Sequence, residues 1–201
     1  MRNLRLGIFI AVALVQLGVP IWLIANRERV LRTGTEFHFR TRPADPSDAF
    51  RGRYIFLGFD FKDRIAAEIA KKFQKGGKIP GDLRKTGTFY ATVVKDRDGY
   101  AELAAVADDP PPAGDYVEIR AEVRWGSVYV HLPFDRFYMD EVDAPRAERA
   151  YALIRRREGA AAYAVVFIRS GEAVLQDLVM DGAPIREYLK RYPGGAVKEK
   201  R

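Results

Sequence analysis

The chain has 201 residues, of which 48% are apolar and 30% charged, enough for one domain of ordinary size with appendages, so wholesale disorder is excluded. It contains no cysteine, which rules out disulfides, thiolate chemistry and zinc–cysteine sites together. The net charge of +7 does not point to nucleic acid, because Lys and Arg are scattered and mostly accompanied by Asp and Glu. The densest basic runs, Arg155-Arg156-Arg157 and Lys198-Glu199-Lys200-Arg201, read as a solvated helix face and a frayed terminus. The surplus suits an anionic bilayer surface nearby.

Residues 1–5 form a short basic tail, and Leu6 to Ala25 follow as twenty uncharged residues with a single Gln. At 1.5 Å rise per residue such a helix spans about 30 Å, the thickness of a hydrocarbon core. Pro20 is tolerable in a membrane helix, and Trp22 lies where an interfacial aromatic would sit. A cleaved signal peptide is the competing reading, but WLIANRERV lacks the small-x-small pattern that a signal peptidase prefers. Arg2 and Arg5 precede the span and Arg27, Arg29 and Arg32 follow it, so the positive-inside rule decides nothing. A short tail ahead of a large domain favours a signal anchor with its C-terminal domain outside the cytoplasm. Residues 26–34 are expected to be a linker, 35–190 a soluble domain and 191–201 a flexible tail.

Thr35 to Thr41 alternates, placing Phe37 and Phe39 on one face and His38 and Arg40 on the other, a half-buried strand. Pro43 and Pro46 end it. Phe50 to Phe61 is an aromatic-rich run apolar on both faces, as expected of a strand covered on both sides. Tyr54→Ala and Leu57→Ala are both expected to be severe on that reading. Asp63 is expected to cap a helix bearing Ile65, Ile69 and Phe73, stopped by Gly76-Gly77. Thr88 to Val94 and Tyr100 to Ala104 flank a turn at Asp98-Gly99. Tyr116 to Arg124 and Ser127 to Leu132 are two further strands divided by Trp125-Gly126, with His131 packed among core residues. Asp143 is the expected N-cap of a helix with a stripe of Ala147, Ala150, Tyr151 and Ile154. Ala162 to Ile168 and Ala173 to Met180 pair around Ser170-Gly171, and Asp181-Gly182 precedes a short helix. Roughly seven strands and two or three short helices predict a mainly β (α+β) fold behind the N-terminal transmembrane helix. Its domain is an antiparallel sandwich or partly open barrel.

The stretch Asp45-Pro46-Ser47-Asp48-Ala49-Phe50-Arg51-Gly52-Arg53-Tyr54-Ile55-Phe56-Leu57-Gly58-Phe59 resembles the DPxDxxRGDYxxLxY signature of the GDYXXLXY family. Phe137 to Glu141 with Glu148, and the hairpin from Gly171 to Leu178 with Asp181-Gly182, are similar to further family segments. Arg53 replaces the aspartate of the family's GDY, and Phe59 its last tyrosine. The literal Gly114-Asp115-Tyr116 lacks the lead-in and reads as the start of a strand. The resemblance implies a bacterial membrane-associated protein, often encoded beside a multi-pass membrane protein, without a defined chemistry.

No catalytic constellation stands out. The serines are Ser47, Ser127 and Ser170, and the histidines are His38 and His131. Ser47, between aspartates, fits an Asx/ST turn better than a nucleophile. Asp45 and Asp48, or Asp140, Glu141 and Asp143, could share a cation or do acid–base work. Capping of turn amides and pairing with Arg51 is the simpler reading. No cofactor, metal or catalytic residue is therefore assigned. The expected function is a non-enzymatic binding module for an integral-membrane or envelope partner. Its contact surface would comprise Asp45, Asp48, Arg51, Gly52, Tyr54, Leu57, Phe59, Tyr138 and Glu141. The alternatives are an envelope-ligand receptor, or a small hydrolase using Ser47 or the Asp45, Asp48 and Glu141 carboxylates.

Overall fold

A computed structural model of the chain describes residues 2–43, 54–74, 79, 83–154 and 162–192. The stretch with Asp45, Ser47, Asp48, Arg51 and Gly52 lies outside the described residues, as do residues 193–201. The first element, α1 (Arg2–Thr33), is long and apolar enough to cross a membrane. Ile8, Phe9, Leu14, Leu17, Trp22 and Ile24 are among its exposed large side chains, and Pro20 is accommodated within it. The helix does not stop at Ala25. Residues 26–33, expected to be a linker, continue it, because NRERVLRT holds no Gly or Pro and consists largely of tolerant helix formers. Glu28 and Arg32 pair at i,i+4 (2.8 Å), and the Gly34 amide closes the helix on the Val30 carbonyl (2.8 Å).

Period-2 alternation builds the body of the domain. An eight-stranded sheet holds β1 (Thr35–Arg40), β4 (Lys85–Lys95), β5 (Ala101–Ala107), β6 (Tyr116–Arg124), β7 (Ser127–His131), β9 (Ala162–Arg169), β10 (Glu172–Met180) and β11 (Ala183–Pro184). Its spatial order is β11-β10-β9-β1-β5-β4-β6-β7. All pairings are antiparallel except β1 with β5, joined in parallel at Phe39 and Ala101. Three two-residue turns, Trp125-Gly126, Ser170-Gly171 and Asp181-Gly182, have positive φ at both positions. Primed hairpin turns demand that conformation.

The sheet curls without closing. The tip of the β9–β10 hairpin returns to β6, where the Glu118 amide donates to the Gly171 carbonyl (2.8 Å). Gly171 is required there: a Cβ would lie 2.8 Å from the Tyr116 ring. A second, three-stranded sheet joins β2 (Arg42–Pro43), β3 (Tyr54–Gly58) and β8 (Arg136–Tyr138) in the order β2-β3-β8. Helix α2 (Phe61–Phe73) lies against β5 and β7, and α3 (Ala144–Ile154) touches β3 and α4 (Ile185–Arg191). The mainly β class is therefore as expected. The sequence count of roughly seven strands omits β2, β8 and β11, which at two or three residues are too short to show alternation.

The core is aromatic at its centre. Phe39, Phe59, Phe61 and Phe134 are all buried, with Phe39 stacked on Phe134 (4.9 Å between centroids) and Phe59 on Phe61 (5.2 Å). Ile65 and Ile69 bury the inner face of α2, while Phe73 is partly buried. Asp63 is not its cap: the helix starts two residues earlier, and the Asp63 carboxylate accepts from Arg42 (2.6 Å).

Candidate functional site

The signature strand has two unlike faces. On β3, Ile55 and Leu57 point into the core while Tyr54 and Phe56 are only half-buried. The expectation that both faces are covered is corrected by this. The partner strand β8 contributes just three residues. Register sets Tyr54 opposite Tyr138 and Phe56 opposite Arg136. The rings of Tyr54 and Tyr138 are 5.6 Å apart, and the Arg136 guanidinium sits 5.3 Å over Tyr54. A side-chain hydrogen bond with Tyr138, above all, raises the Arg136 pKa, with Asp135 and the two tyrosines adding to it against partial burial. Tyr138 remains 62% exposed and Val142 is 76% exposed.

Behind this row stands Asp135, the buried charged residue among the described residues. Its carboxylate lies 3.6 Å from Lys62 Nζ and 3.9 Å from Arg136 Nε, and its backbone carbonyl accepts from the Leu57 amide (2.8 Å). Lys62 in turn sits 5.1 Å over Phe56. One carboxylate thus orients two cations over two aromatic rings. The result is a firm, outward-facing patch of Tyr54, Phe56, Arg136 and Tyr138.

Of the nine residues expected at the surface, the structure brings Tyr54 and Tyr138 together there. Leu57 and Phe59 are fully buried and belong to the core. Glu141 is exposed in the turn before α3. Asp45, Asp48, Arg51 and Gly52 fall outside the described residues. Sequence reasoning missed Arg136, Asp135 and Phe56. The available signal was Arg136 at alternate spacing from Tyr138, which puts both on one face of a strand.

The nearby carboxylates have structural work. Asp140 Oδ1 accepts from the amides of Val142 (3.1 Å) and Asp143 (2.8 Å), while Asp143 pairs with Arg146 (2.6 Å) in the first turn of α3. Asp143 stands directly before α3, as expected of its N-cap, and its carbonyl accepts from the Ala147 amide (2.8 Å). Among the described residues no three His, Asp or Glu side chains gather as a metal site. His131, expected inside, has a side chain 55% exposed, because it sits on the outward row of an edge strand. His38 faces outward as expected, bonded to Glu36 (2.7 Å) and stacked on Tyr163 (4.8 Å).

A curled, mainly β domain behind an apolar helix, with an aromatic signature strand backed by one buried carboxylate, defines the class of protein. Residues 16–178 match the GDYXXLXY protein family, and the chain belongs to it. No curated protein and no solved structure matches the chain.

Proposed function

We propose that the chain is a single-pass inner-membrane protein whose extracytoplasmic domain binds an integral-membrane or envelope partner through the outer face of β3 and β8. The observation that carries this reading is the Tyr54–Arg136–Tyr138 row. Aromatic and Arg side chains are the types enriched in interface cores, and here they are fixed before any partner arrives. Helix α1 supports the anchoring: large apolar side chains such as Ile8, Phe9, Leu14, Leu17 and Ile24 are exposed, which is costly in water and favourable in lipid.

A photo-crosslinking residue at Tyr138 in native membranes tests the surface, with one at Trp125, also exposed but on the other sheet, as control. The reading expects one integral-membrane or envelope species crosslinked from Tyr138 and not from Trp125. Equal or absent crosslinking from the two positions would sink it. Orientation is tested with a single cysteine at Arg97, exposed at the β4–β5 turn. Asp98 is the poorer choice because its carboxylate bonds Arg40 (2.5 Å). Labelling by an impermeant maleimide once the outer membrane is permeabilised, without lysis, is expected. Labelling only after lysis would place the domain in the cytoplasm.

A further inference from the structure

The last turns of α1 lie against the domain. Val30 is buried, Asn26 Nδ2 donates to both oxygens of Glu172 (2.9 and 2.7 Å), and Arg169 donates to Thr33 Oγ1 (2.8 Å). Beside these contacts opens a cavity of about 500 Å³, in the size range of small-ligand sites. Leu23 and Arg27 of α1 form one wall, Glu118 and Arg120 of β6 with His131 another, and Glu172 closes an end. A second cavity of about 500 Å³ continues beyond Arg120 and His131 toward Thr88. Thr88, Arg120 and His131 form one cross-strand row on the outer face of the sheet.

The position of this groove selects its occupant. The uncharged stretch of twenty residues ends at Ala25, so Leu23 to Arg27 would stand at the level where hydrocarbon gives way to headgroups, next to the exposed Trp22. Its chemistry narrows the choice. Among the described residues, Arg27, Arg120 and Glu118 make no ion pair, whereas Glu172 is taken by Asn26. Two guanidiniums and two carboxylates line the groove, so their formal charges cancel and it gains little from a purely anionic ligand. A phosphate beside an ammonium matches it group for group. Guanidinium is the side chain that grips phosphate with paired donors, and Glu118 can accept from an N–H. A choline headgroup carries no N–H to offer.

We propose that this groove seats one phospholipid of the phosphoethanolamine class, its phosphate between Arg27 and Arg120, its ammonium at Glu118 and its acyl chains beside Leu23. The proposal rests on the membrane reading of α1. The full chain, purified in detergent and delipidated, is titrated with phosphatidylethanolamine, phosphatidylglycerol and phosphatidylcholine and examined by native mass spectrometry. The expected result is one retained phosphatidylethanolamine in preference to the other two. Arg120→Gln should weaken it about tenfold, and Glu118→Gln should abolish the preference over phosphatidylglycerol. Both positions are exposed, so both variants are expected to melt as wild type does, which confirms that any loss is local. Equal retention of the three lipids, preference for phosphatidylglycerol, unchanged binding in both variants, or equally effective competition by inorganic phosphate would overturn the proposal. Alkaline carbonate extraction separates the two failures: a chain that stays in the membrane pellet without lipid selectivity loses only the headgroup site. A chain released by carbonate loses the anchor as well.

Discussion

Leu57 and Tyr54 sit three positions apart on the signature strand and meet different surroundings. Leu57 is fully buried beneath the small sheet, whereas Tyr54 keeps one face toward solvent and leans on Tyr138 and Arg136. Leu57→Ala should therefore cost about 2–5 kcal/mol, through lost transfer energy and the cavity left behind. Tyr54→Ala should cost about 1 kcal/mol, mainly the lost ring pair. Urea unfolding of the two variants checks the contrast, and equal losses would mean that the outer row is packed as tightly as the core. Asp177 supplies a pH-dependent case. Partial burial raises its carboxyl pKa, opposed by the Leu178 amide and by Arg186. The folded state then holds that proton more tightly than the unfolded chain, whose aspartate titrates near ~3.9. The group weakens the fold as pH rises from the unfolded pKa through the folded one, and the penalty is constant above it. Asp177→Asn should raise the melting temperature at neutral pH, with a gain that fades to nothing below about pH 4. A gain independent of pH would refute that cause.

Between elements, the joint that matters most is the one between α2 and the small sheet. Lys62 rises from the first turn of α2 to Asp135, just ahead of β8, while the Asp135 carbonyl holds the Leu57 amide of β3. A single residue thereby ties helix, signature strand and partner strand together. Lys62→Met should destabilise by about 1–3 kcal/mol, because the carboxylate stays buried and, among the described residues, keeps Arg136 alone as a cation. Adding Asp135→Asn should recover much of that loss, and a double-mutant cycle by urea unfolding measures the coupling. Additive losses would show that the two side chains act separately. This joint was illegible in the sequence. Asp135 stands between Phe134 and Phe137 in a stretch too short to alternate, and Lys62 has no spacing that points to it. The long strands and hairpins were legible, since β1, β4 and β6 alternate, and β9 and β10 are apolar runs divided by the turn at Ser170-Gly171. The signature strand was half legible. Alternation separates its faces, but both are apolar, so the sequence predicts cover on both and cannot tell the buried Leu57 from the half-buried Tyr54.

At the scale of the whole molecule, Gly34 governs how the anchor meets the domain. A Cβ there would lie 2.6 Å from the Val30 carbonyl oxygen and 3.0 Å from that of Ile168, both backbone atoms that cannot swing aside. Gly34→Ala should loosen the end of α1 from the β9–β10 hairpin while leaving the sheet intact. Trypsin cleavage at Arg32 should then accelerate several-fold with little change in the melting temperature of the domain. Unchanged cleavage would mean that the helix end is held by Asn26 and Arg169 alone. The groove beside the end of α1 could not be read from the sequence either. It gathers residues from α1, β6, β7 and β10, separated by up to about 150 positions, and only the curl of the sheet makes them neighbours.

The unbroken passage from span to sheet also limits where this domain can search. A flexible tether of n residues reaches roughly 5–6 Å × √n, whereas here a single glycine separates helix from first strand. With α1 in a bilayer, the domain cannot swing outward to sample the compartment beyond; it drifts sideways at one height, like a keel fixed to its hull. Its encounters become two-dimensional, confined to neighbours in the same leaflet plane that present their binding groups within one domain's breadth of the lipid.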